Sequence, residues 1–310
     1  MALGQRAPVS IATGTRLGSL TLATPLVGAS GTVGSGWELA RAADVGAYGA
    51  LVTKSVADEA WPGRPPPRLA PAGLGMLNGI GIQNPGIDEW VRLTAPRVER
   101  LPLPVWGSAV ASTPDGYARV AAGFAGAGIE AIEINLSCPN LEDGRMFALD
   151  PQASADVVAA VRSAVSVPIG AKLSPNAADV TEVALACRGA GADWVTLTNT
   201  AWGAGIDIET RRPLLSGRVG GYSGPPLKPI ALRCVLEVAA AAPGLPILGC
   251  GGVTRGADVI EYLMAGASAV ALGTIHFAEP RAGRRILREV EDWCRRHEVS
   301  AVTDLIGVAT

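Results

Sequence analysis

Short, nearly unbroken apolar runs alternate along the chain with longer, Ala-rich segments whose apolar residues recur at helical spacing. Each run has the length of a strand, and continuous hydrophobicity is typical of strands that are buried on both faces. The predicted strands are residues 25–30, 50–54, 105–110, 131–137, 168–174, 194–200, 246–252 and 269–274.

Helical periodicity fills most of the intervals between these runs, and several of the segments open on a proline, which suits the first turn of a helix. Parallel strands joined mostly by helices predict the α/β class and a single (β/α)8 TIM barrel over residues 1–310. A doubly wound sheet is the competing architecture. The predicted helices are residues 37–44, 114–126, 151–165, 177–189, 226–242, 257–265 and 280–296.

Two connections lack helical periodicity and contain many Gly and Pro residues, namely 55–91 and 200–225. Both leave the carboxyl end of a predicted strand, which is the face where barrel active sites assemble. Long irregular loops in compact domains are commonly functional. We therefore expect long loops at the C-terminal face to form part of a site.

The amino-acid composition argues against several classes of protein. Hydrophobic residues make up 48% of the 310 residues and charged residues 17%, which is enough apolar chain for a large core. The net charge of −2 offers no field to attract nucleic acid or an anionic membrane. Without a signal peptide or an apolar stretch of membrane length, we expect a cytoplasmic protein. The five scattered cysteines and two histidines predict neither a disulfide framework nor a metal site.

Lysine is rare, with three residues against 23 arginines. Lys54 and Lys172 both fall at or near the carboxyl end of a predicted strand, where a compact ammonium could point into the barrel mouth. A lysine that extends along the strand end toward solvent is the alternative. Their shared position favours a functional interpretation.

The segment Asn135-Leu-Ser-Cys-Pro-Asn140 directly follows a predicted strand. Its thiol, Cys138, could act as a base or a nucleophile, or could be an inert half-buried cysteine. Amides and a hydroxyl at other strand ends and in the first loop present both donors and acceptors. Such groups complement a ring that alternates N–H and C=O groups, such as a pyrimidine. The polar set comprises Asn78, Asn135, Asn140, Asn199 and Thr200.

Glycines mark the ends of the last two predicted strands, at Gly249-Cys-Gly-Gly252 and Leu272-Gly-Thr274. Glycine lets backbone N–H groups approach a phosphate closely, and barrels commonly bind phosphate after strands seven and eight. Plain turns are the alternative interpretation. Their position at the ends of the last two predicted strands favours a phosphate-binding site over plain turns.

Taken with these motifs, most of the chain, from about residue 24 to about residue 276, resembles the class 1 dihydroorotate dehydrogenases. The resemblance rests on Asn135-Leu-Ser-Cys-Pro-Asn140 and on Ser223-Gly-Pro-Pro-Leu-Lys-Pro229. Residues 76–86, 172–176 and 206–213 resemble class 1B, the NAD-linked branch.

The resemblance implies oxidation of dihydroorotate to orotate in pyrimidine (UMP) biosynthesis, with FMN as the cofactor. It implies that Cys138 takes the proton from C5 while the hydride leaves C6. It further implies that Asn78, Asn135 and Asn199 hold the pyrimidine, with Thr200 and Asn140 nearby. The substrate carboxylate would meet backbone N–H groups of Gly79, Ile80, Gly81 and Ile82. The implied FMN contacts are Ala29, Ser30, Lys54, Asn135, Lys172, Gly224, Gly251, Gly252, Gly273 and Thr274.

The expected route of the electrons depends on two binding motifs that are missing from the sequence. No strand–GxGxxG–helix unit and no cysteine cluster is present for nicotinamide or an iron–sulfur centre. Because residues 206–213 and 78–86 resemble the NAD-linked branch, the resemblance then implies a homodimer that assembles with an FAD- and iron–sulfur-bearing subunit into a heterotetramer. A fumarate-linked, class 1A-type activity and a related dihydropyrimidine oxidoreductase are the alternative enzymes. A catalytically silent barrel that serves as a scaffold is the alternative outside enzymology.

Overall fold

A computed structural model of the chain describes residues 10–137 and 146–310. Its centre is a closed barrel of eight parallel strands in which each strand pairs with the next along the chain and the last pairs with the first. The predicted (β/α)8 barrel is therefore confirmed. The strands are β1 (Leu26–Gly28), β2 (Ala50–Val52), β3 (Val105–Ala109), β4 (Ile132–Asn135), β5 (Ile169–Lys172), β6 (Trp194–Leu197), β7 (Ile247–Cys250) and β8 (Ala269–Leu272).

Helices surround the barrel, and their bounds follow local capping. The predicted helix at 114–126 has these bounds in the structure because Thr113 accepts a hydrogen bond from the Gly116 N–H and Pro114 occupies the first turn. The helix predicted to start at 177 starts at Val180 instead, because Asp179 is its N-cap. The helices are α1 (Trp37–Ala40), α2 (Ile87–Leu93), α3 (Ala95–Val98), α4 (Pro114–Gly126), α5 (Pro151–Ala164), α6 (Val180–Gly189), α7 (Lys228–Ala241), α8 (Gly256–Met264), α9 (Ile275–Ala278) and α10 (Ala282–Arg296).

The two long connections form one structure. Leu69–Ala72 and Gly75–Asn78 from the first connection, and Ala201–Gly203 and Gly220–Ser223 from the second, make a four-stranded antiparallel sheet. A short ladder of Ile206–Asp207 with Arg212–Pro213 extends from the second connection. Segments expected to be irregular loops thus contain short strands, which pair within each connection and, between Gly75–Asn78 and Gly220–Ser223, across the two connections.

The barrel interior is a separate core. A cluster of buried residues that includes none from the helices packs Trp106 and Trp194 with Leu17 and Leu22 of the N-terminal hairpin. The two indole rings lie 5.4 Å apart between centroids. Gly170 is required here, since a Cβ on it would stand 1.9 Å from the Trp194 ring. Apolar packing therefore fills this part of the barrel.

Most of the helices pack on the outside of the barrel through a second, larger core. Within residues 10–137 and 146–310, no helix is both long enough and apolar enough to cross a membrane.

Candidate active site

Polar side chains at the carboxyl ends of β2, β3, β4 and β6 form one hydrogen-bonded chain. Asn135, the last residue of β4, donates from Nδ2 to Ser55 Oγ at 3.1 Å, and Ser55 Oγ lies 2.9 Å from Ser108 Oγ. Asn199, which follows β6, donates from Nδ2 to Asn135 Oδ1 at 3.2 Å. Tyr117 of α4 donates to the Asn135 backbone carbonyl at 2.7 Å. The two predicted amides are therefore in contact and held from several sides.

The sheet built from the two long connections brings in the other predicted polar residues. Asn78 Nδ2 donates to the Gly221 carbonyl at 3.1 Å. A Cβ on Gly221 would stand 2.2 Å from Thr200 Oγ1 and 3.0 Å from Asn78 Nδ2. Thr200 N–H donates to Asn199 Oδ1 at 2.8 Å, which joins this group to the barrel strand ends. Asn78, Asn135, Asn199 and Thr200 thus form one continuous polar group.

The backbone of residues 79–82 follows Asn78 directly. The Gly79 N–H is already used, because it donates to the Arg68 carbonyl at 2.8 Å. Among the described residues, the N–H groups of Ile80, Gly81 and Ile82 make no hydrogen bond, and Gly81 and Ile82 have φ values of 68° and 51°. This segment can therefore offer three donors to an anion, rather than the four predicted.

Arg64 is a polar group that sequence reasoning did not identify. Its side chain packs over the same backbone, with Nη1 3.3 Å from the position of a Cβ on Gly79 and Cγ 2.8 Å from one on Gly81. Nη1 also donates to the Val219 carbonyl at 3.0 Å. This arginine places a positive charge beside the free donors and links the first long connection to the second.

Lys172, the last residue of β5, is 6% exposed and lies against a buried carboxylate. Its Nζ is 3.5 Å from Glu133 Oε1, and Thr196 Oγ1 donates to Glu133 Oε2 at 2.8 Å. Burial, the largest single effect, lowers the pKa of Lys172, but the charge and hydrogen bond of Glu133 together with Cys250 raise it, and the net direction is upward. Lys172 is therefore a fixed positive charge at neutral pH.

The predicted cofactor glycines meet in two places. A Cβ on Gly252 would stand 2.7 Å from the Lys228 backbone N and 2.9 Å from the Gly224 carbonyl, so these two glycine turns abut. A Cβ on Gly273 would meet only the Ala29 Cβ, at 3.9 Å, which leaves space beside it. Gly252 has a φ of 68°, in the region that favours glycine. This is a cradle that a phosphate could enter and a side chain would fill.

The neighbouring loops are tied to the barrel ends. Ala29 N–H donates to the Leu272 carbonyl at 2.8 Å, and Ser30 Oγ donates to the Thr53 carbonyl at 2.6 Å. Tyr262 OH donates to the Gly251 carbonyl at 2.7 Å. The structure thus fixes several predicted cofactor residues at the ends of β1, β2, β7 and β8.

Four further predicted residues complete the comparison. Lys54 is half-buried after β2, with its N–H donating to the Gly34 carbonyl at 2.7 Å. Thr274 precedes α9. Cys138 and Asn140 lie outside the described residues, so their predicted roles remain predictions.

Comparison with known proteins agrees with this arrangement. The family model described as dihydroorotate dehydrogenase matches residues 13–293. The chain belongs to the dihydroorotate dehydrogenase family. Curated relatives named "Dihydroorotate dehydrogenase B (NAD(+)), catalytic subunit" include those of Desulforudis audaxviator and Bacillus pumilus. The first is 41% identical over 303 residues, covering 97% of this chain and 98% of the relative. The second is 41% identical over 293 residues, covering 94% of each.

Members of this family are flavin-dependent oxidoreductases, and the residues present fit a flavin phosphate. In the glycine cradle, Gly252 follows β7, Gly273 follows β8 and Gly224 lies shortly before α7. Barrels commonly bind phosphate after the seventh and eighth strands.

The structure adds Glu133, Thr196 and Ser55 to the site residues that the sequence predicted. A carboxylate inside the apolar run 131–137 was the signal that could have identified Glu133.

Proposed function

We propose that this chain is the FMN-binding catalytic subunit of an NAD-linked dihydroorotate dehydrogenase. It oxidises (S)-dihydroorotate to orotate in pyrimidine biosynthesis and passes the electrons to NAD through a partner subunit. The observation that carries the proposal is the continuous group of Asn78, Asn135, Asn199 and Thr200 close to the buried Lys172. The relatives' shared name, at 41% identity, supports the same activity.

Substrate recognition would use this polar group. Amide side chains supply donors and acceptors that match the N–H and C=O groups of a dihydropyrimidine. The free N–H groups of Ile80, Gly81 and Ile82, beside the Arg64 guanidinium, match the substrate carboxylate. A dihydropyrimidine without a carboxylate would leave these donors unpaired, which favours dihydroorotate over the related dihydropyrimidine substrates.

Catalysis would divide the reaction between a proton and a hydride. When bound, FMN supplies the acceptor for the hydride that leaves C6. Cys138, as its thiolate, takes the proton from C5, so that the C5–C6 bond becomes the double bond of orotate. Lys172 holds a positive charge in the barrel mouth where negative charge develops. Gly224, Gly251, Gly252, Gly273 and Thr274 would hold the phosphate, and Ala29, Ser30 and Lys54 would line the flavin.

Anaerobic mixing of the purified chain with dihydroorotate tests the activity. We expect the bound flavin to bleach with dihydroorotate and to stay oxidised with dihydrouracil, the matched ring without a carboxylate. Bleaching by dihydrouracil alone would transfer the assignment to a dihydropyrimidine oxidoreductase. A purified chain that cannot be loaded with FMN would favour a silent scaffold.

The electron acceptor needs its own assay. We infer a homodimer that docks a flavin- and iron–sulfur-bearing subunit, because the relatives are named as catalytic subunits of NAD(+) enzymes. The isolated chain should oxidise dihydroorotate with artificial acceptors and barely reduce NAD. Efficient steady-state turnover with fumarate, or with NAD and no partner, would contradict this inference.

A further inference from the structure

Glu133 is a buried charge that the proposed reaction leaves without a role. Among the described residues, the Asp, Glu, Lys and Arg side chains that are less than a tenth exposed belong to Glu133, Lys172 and Asp258. Asp258 has a structural role, since it accepts from the Thr254 N–H at the start of α8 and pairs with Lys228 at 2.8 Å. Glu133 caps no helix, so a different explanation is needed.

The surroundings of Glu133 satisfy only half of its carboxylate. Oε2 accepts the Thr196 hydroxyl at 2.8 Å, whereas Oε1 has no hydrogen-bond partner among the described residues and faces Lys172 Nζ at 3.5 Å. Burying a carboxylate carries a large desolvation cost, and apolar residues in place of a buried ion pair are often as stable or more stable. Stability alone therefore does not account for a glutamate here.

The position of the pair points to the reaction. Lys172 is the neighbour of Asn135 in the β4–β5 ladder and of Thr196 in the β5–β6 ladder. Glu133, whose carboxylate faces Lys172, lies two residues before Asn135 on β4. Asn135 is one of the amides proposed to bind the substrate. Within residues 10–137 and 146–310, Glu133 makes no hydrogen bond to Asn78, Asn135, Asn199 or Thr200, so its effect would pass through Lys172.

We propose that Glu133 is a positioning residue that keeps Lys172 in its ammonium form and in place at the barrel mouth. This inference rests on the proposed function, since it requires a flavin in the barrel mouth. The titratable groups that act on Lys172 are Glu133 on β4 and Cys250 on β7. Burial raises the pKa of the Cys250 thiol, so that thiol is neutral at physiological pH and Glu133 supplies the countercharge.

Glu133→Gln tests this role, because it removes the charge at nearly constant shape. Without the carboxylate, burial lowers the pKa of Lys172, so the lysine should lose its proton at a lower pH than in the wild-type protein. The plot of flavin midpoint potential against pH should therefore acquire a break that the wild-type protein lacks. Above the break, the preference of the Glu133→Gln variant for reduced over oxidised FMN should be about tenfold weaker than that of the wild type. This lowers the midpoint potential by about 30 mV for a two-electron couple.

Sulfite affinity gives a second readout that does not depend on turnover. A sulfite adduct places negative charge on the flavin, so sulfite should bind the Glu133→Gln variant about tenfold more weakly above the break. Glu130→Gln is the matched control, because Glu130 is exposed and lies just before β4. It should reproduce the wild-type potential and sulfite affinity at every pH.

Two further variants, Lys172→Met and Lys172→Met/Glu133→Gln, test the proposal even if Glu133→Gln alone does not fold. In Lys172→Met no lysine remains for Glu133 to act through, so the plot of midpoint potential against pH should have no break. The double variant Lys172→Met/Glu133→Gln leaves no buried charge at the pair, is expected to fold because both members are neutral, and should show no break. A potential that differs between Lys172→Met and the double variant would show that Glu133 acts without Lys172 and would overturn the proposal.

The outcomes separate this proposal from the one on which it rests. If dihydroorotate bleaches the wild-type flavin but Glu133→Gln follows the wild-type potential across the pH range, only the positioning role is overturned. If the wild-type chain holds no flavin, both proposals are overturned. Loss of stability in Glu133→Gln without a break in potential would assign Glu133 to the fold alone and would also overturn the positioning role.

Discussion

Acidification is expected to destabilise this protein through His276, which is 3% exposed and follows β8. Thr32 has one hydroxyl hydrogen, which it donates to the Ala29 carbonyl at 2.9 Å. The His276 Nδ1, 3.2 Å from Thr32 Oγ1, must therefore carry the ring proton. Nε2 is then the acceptor of the Tyr48 hydroxyl at 2.8 Å. The buried ring is neutral and in one tautomer.

The magnitude follows from the pKa of this ring. Burial lowers the pKa of His276 from 6.5 to about 4, and the Gly273 carbonyl offsets this only in part. The unfolded chain takes up the proton near pH 6.5 and the folded chain only near pH 4, so stability is full above 6.5 and is lost as the pH falls. At about 1.4 kcal/mol per pH unit, the loss reaches about 3 kcal/mol near pH 4.

Urea denaturation of the wild type and His276→Gln across this pH range measures the effect. The variant cannot titrate at this position, so its deficit in free energy of unfolding relative to wild type should shrink by about 3 kcal/mol between pH 7.5 and pH 4. His297→Gln, which replaces the exposed second histidine, shows how much of the pH dependence is specific to His276. A flat difference for His276→Gln would refute the tautomer and the buried neutral ring.

Three further predictions address the site. Cys138→Ser should slow flavin reduction by dihydroorotate by about 10²–10⁴ in stopped flow with FMN still bound, and a wild-type rate in Cys138→Ala would exclude this residue as the base. Gly221→Ala should raise the KM for dihydroorotate because its Cβ would strike Thr200, whereas Gly126→Ala has open space and should not; equal KM values would contradict the site geometry. Gly252→Ala should weaken FMN binding in apoprotein titrations, since a Cβ there would strike the Lys228 backbone N and the Gly224 carbonyl and displace these turns, and unchanged affinity would place the phosphate elsewhere.

Local sequence features determined the barrel. The apolar runs and the capping residues depend on contacts within a few positions of the chain, and these contacts can be inferred from periodicity and residue type. Helix α4 is bounded as predicted because Thr113 and Pro114 set its start. The strands end at Asn135 and Lys172, two residues before the predicted ends at 137 and 174, so the face that carries the polar residues could be predicted although the exact strand ends could not.

Only the tertiary structure decided what those residues face. Four of the eight barrel strands lie between Gly75–Asn78 and Gly220–Ser223, and no local pattern specifies such long-range antiparallel pairing. The contact of Glu133 with Lys172 joins adjacent strands through side chains whose environment depends on barrel closure. The tautomer of His276 likewise depends on Thr32 and Tyr48, which are more than 200 residues away in sequence. Periodicity thus determines which residues reach the barrel mouth, whereas their charge state and partners depend on burial and on distances between segments that are remote along the chain.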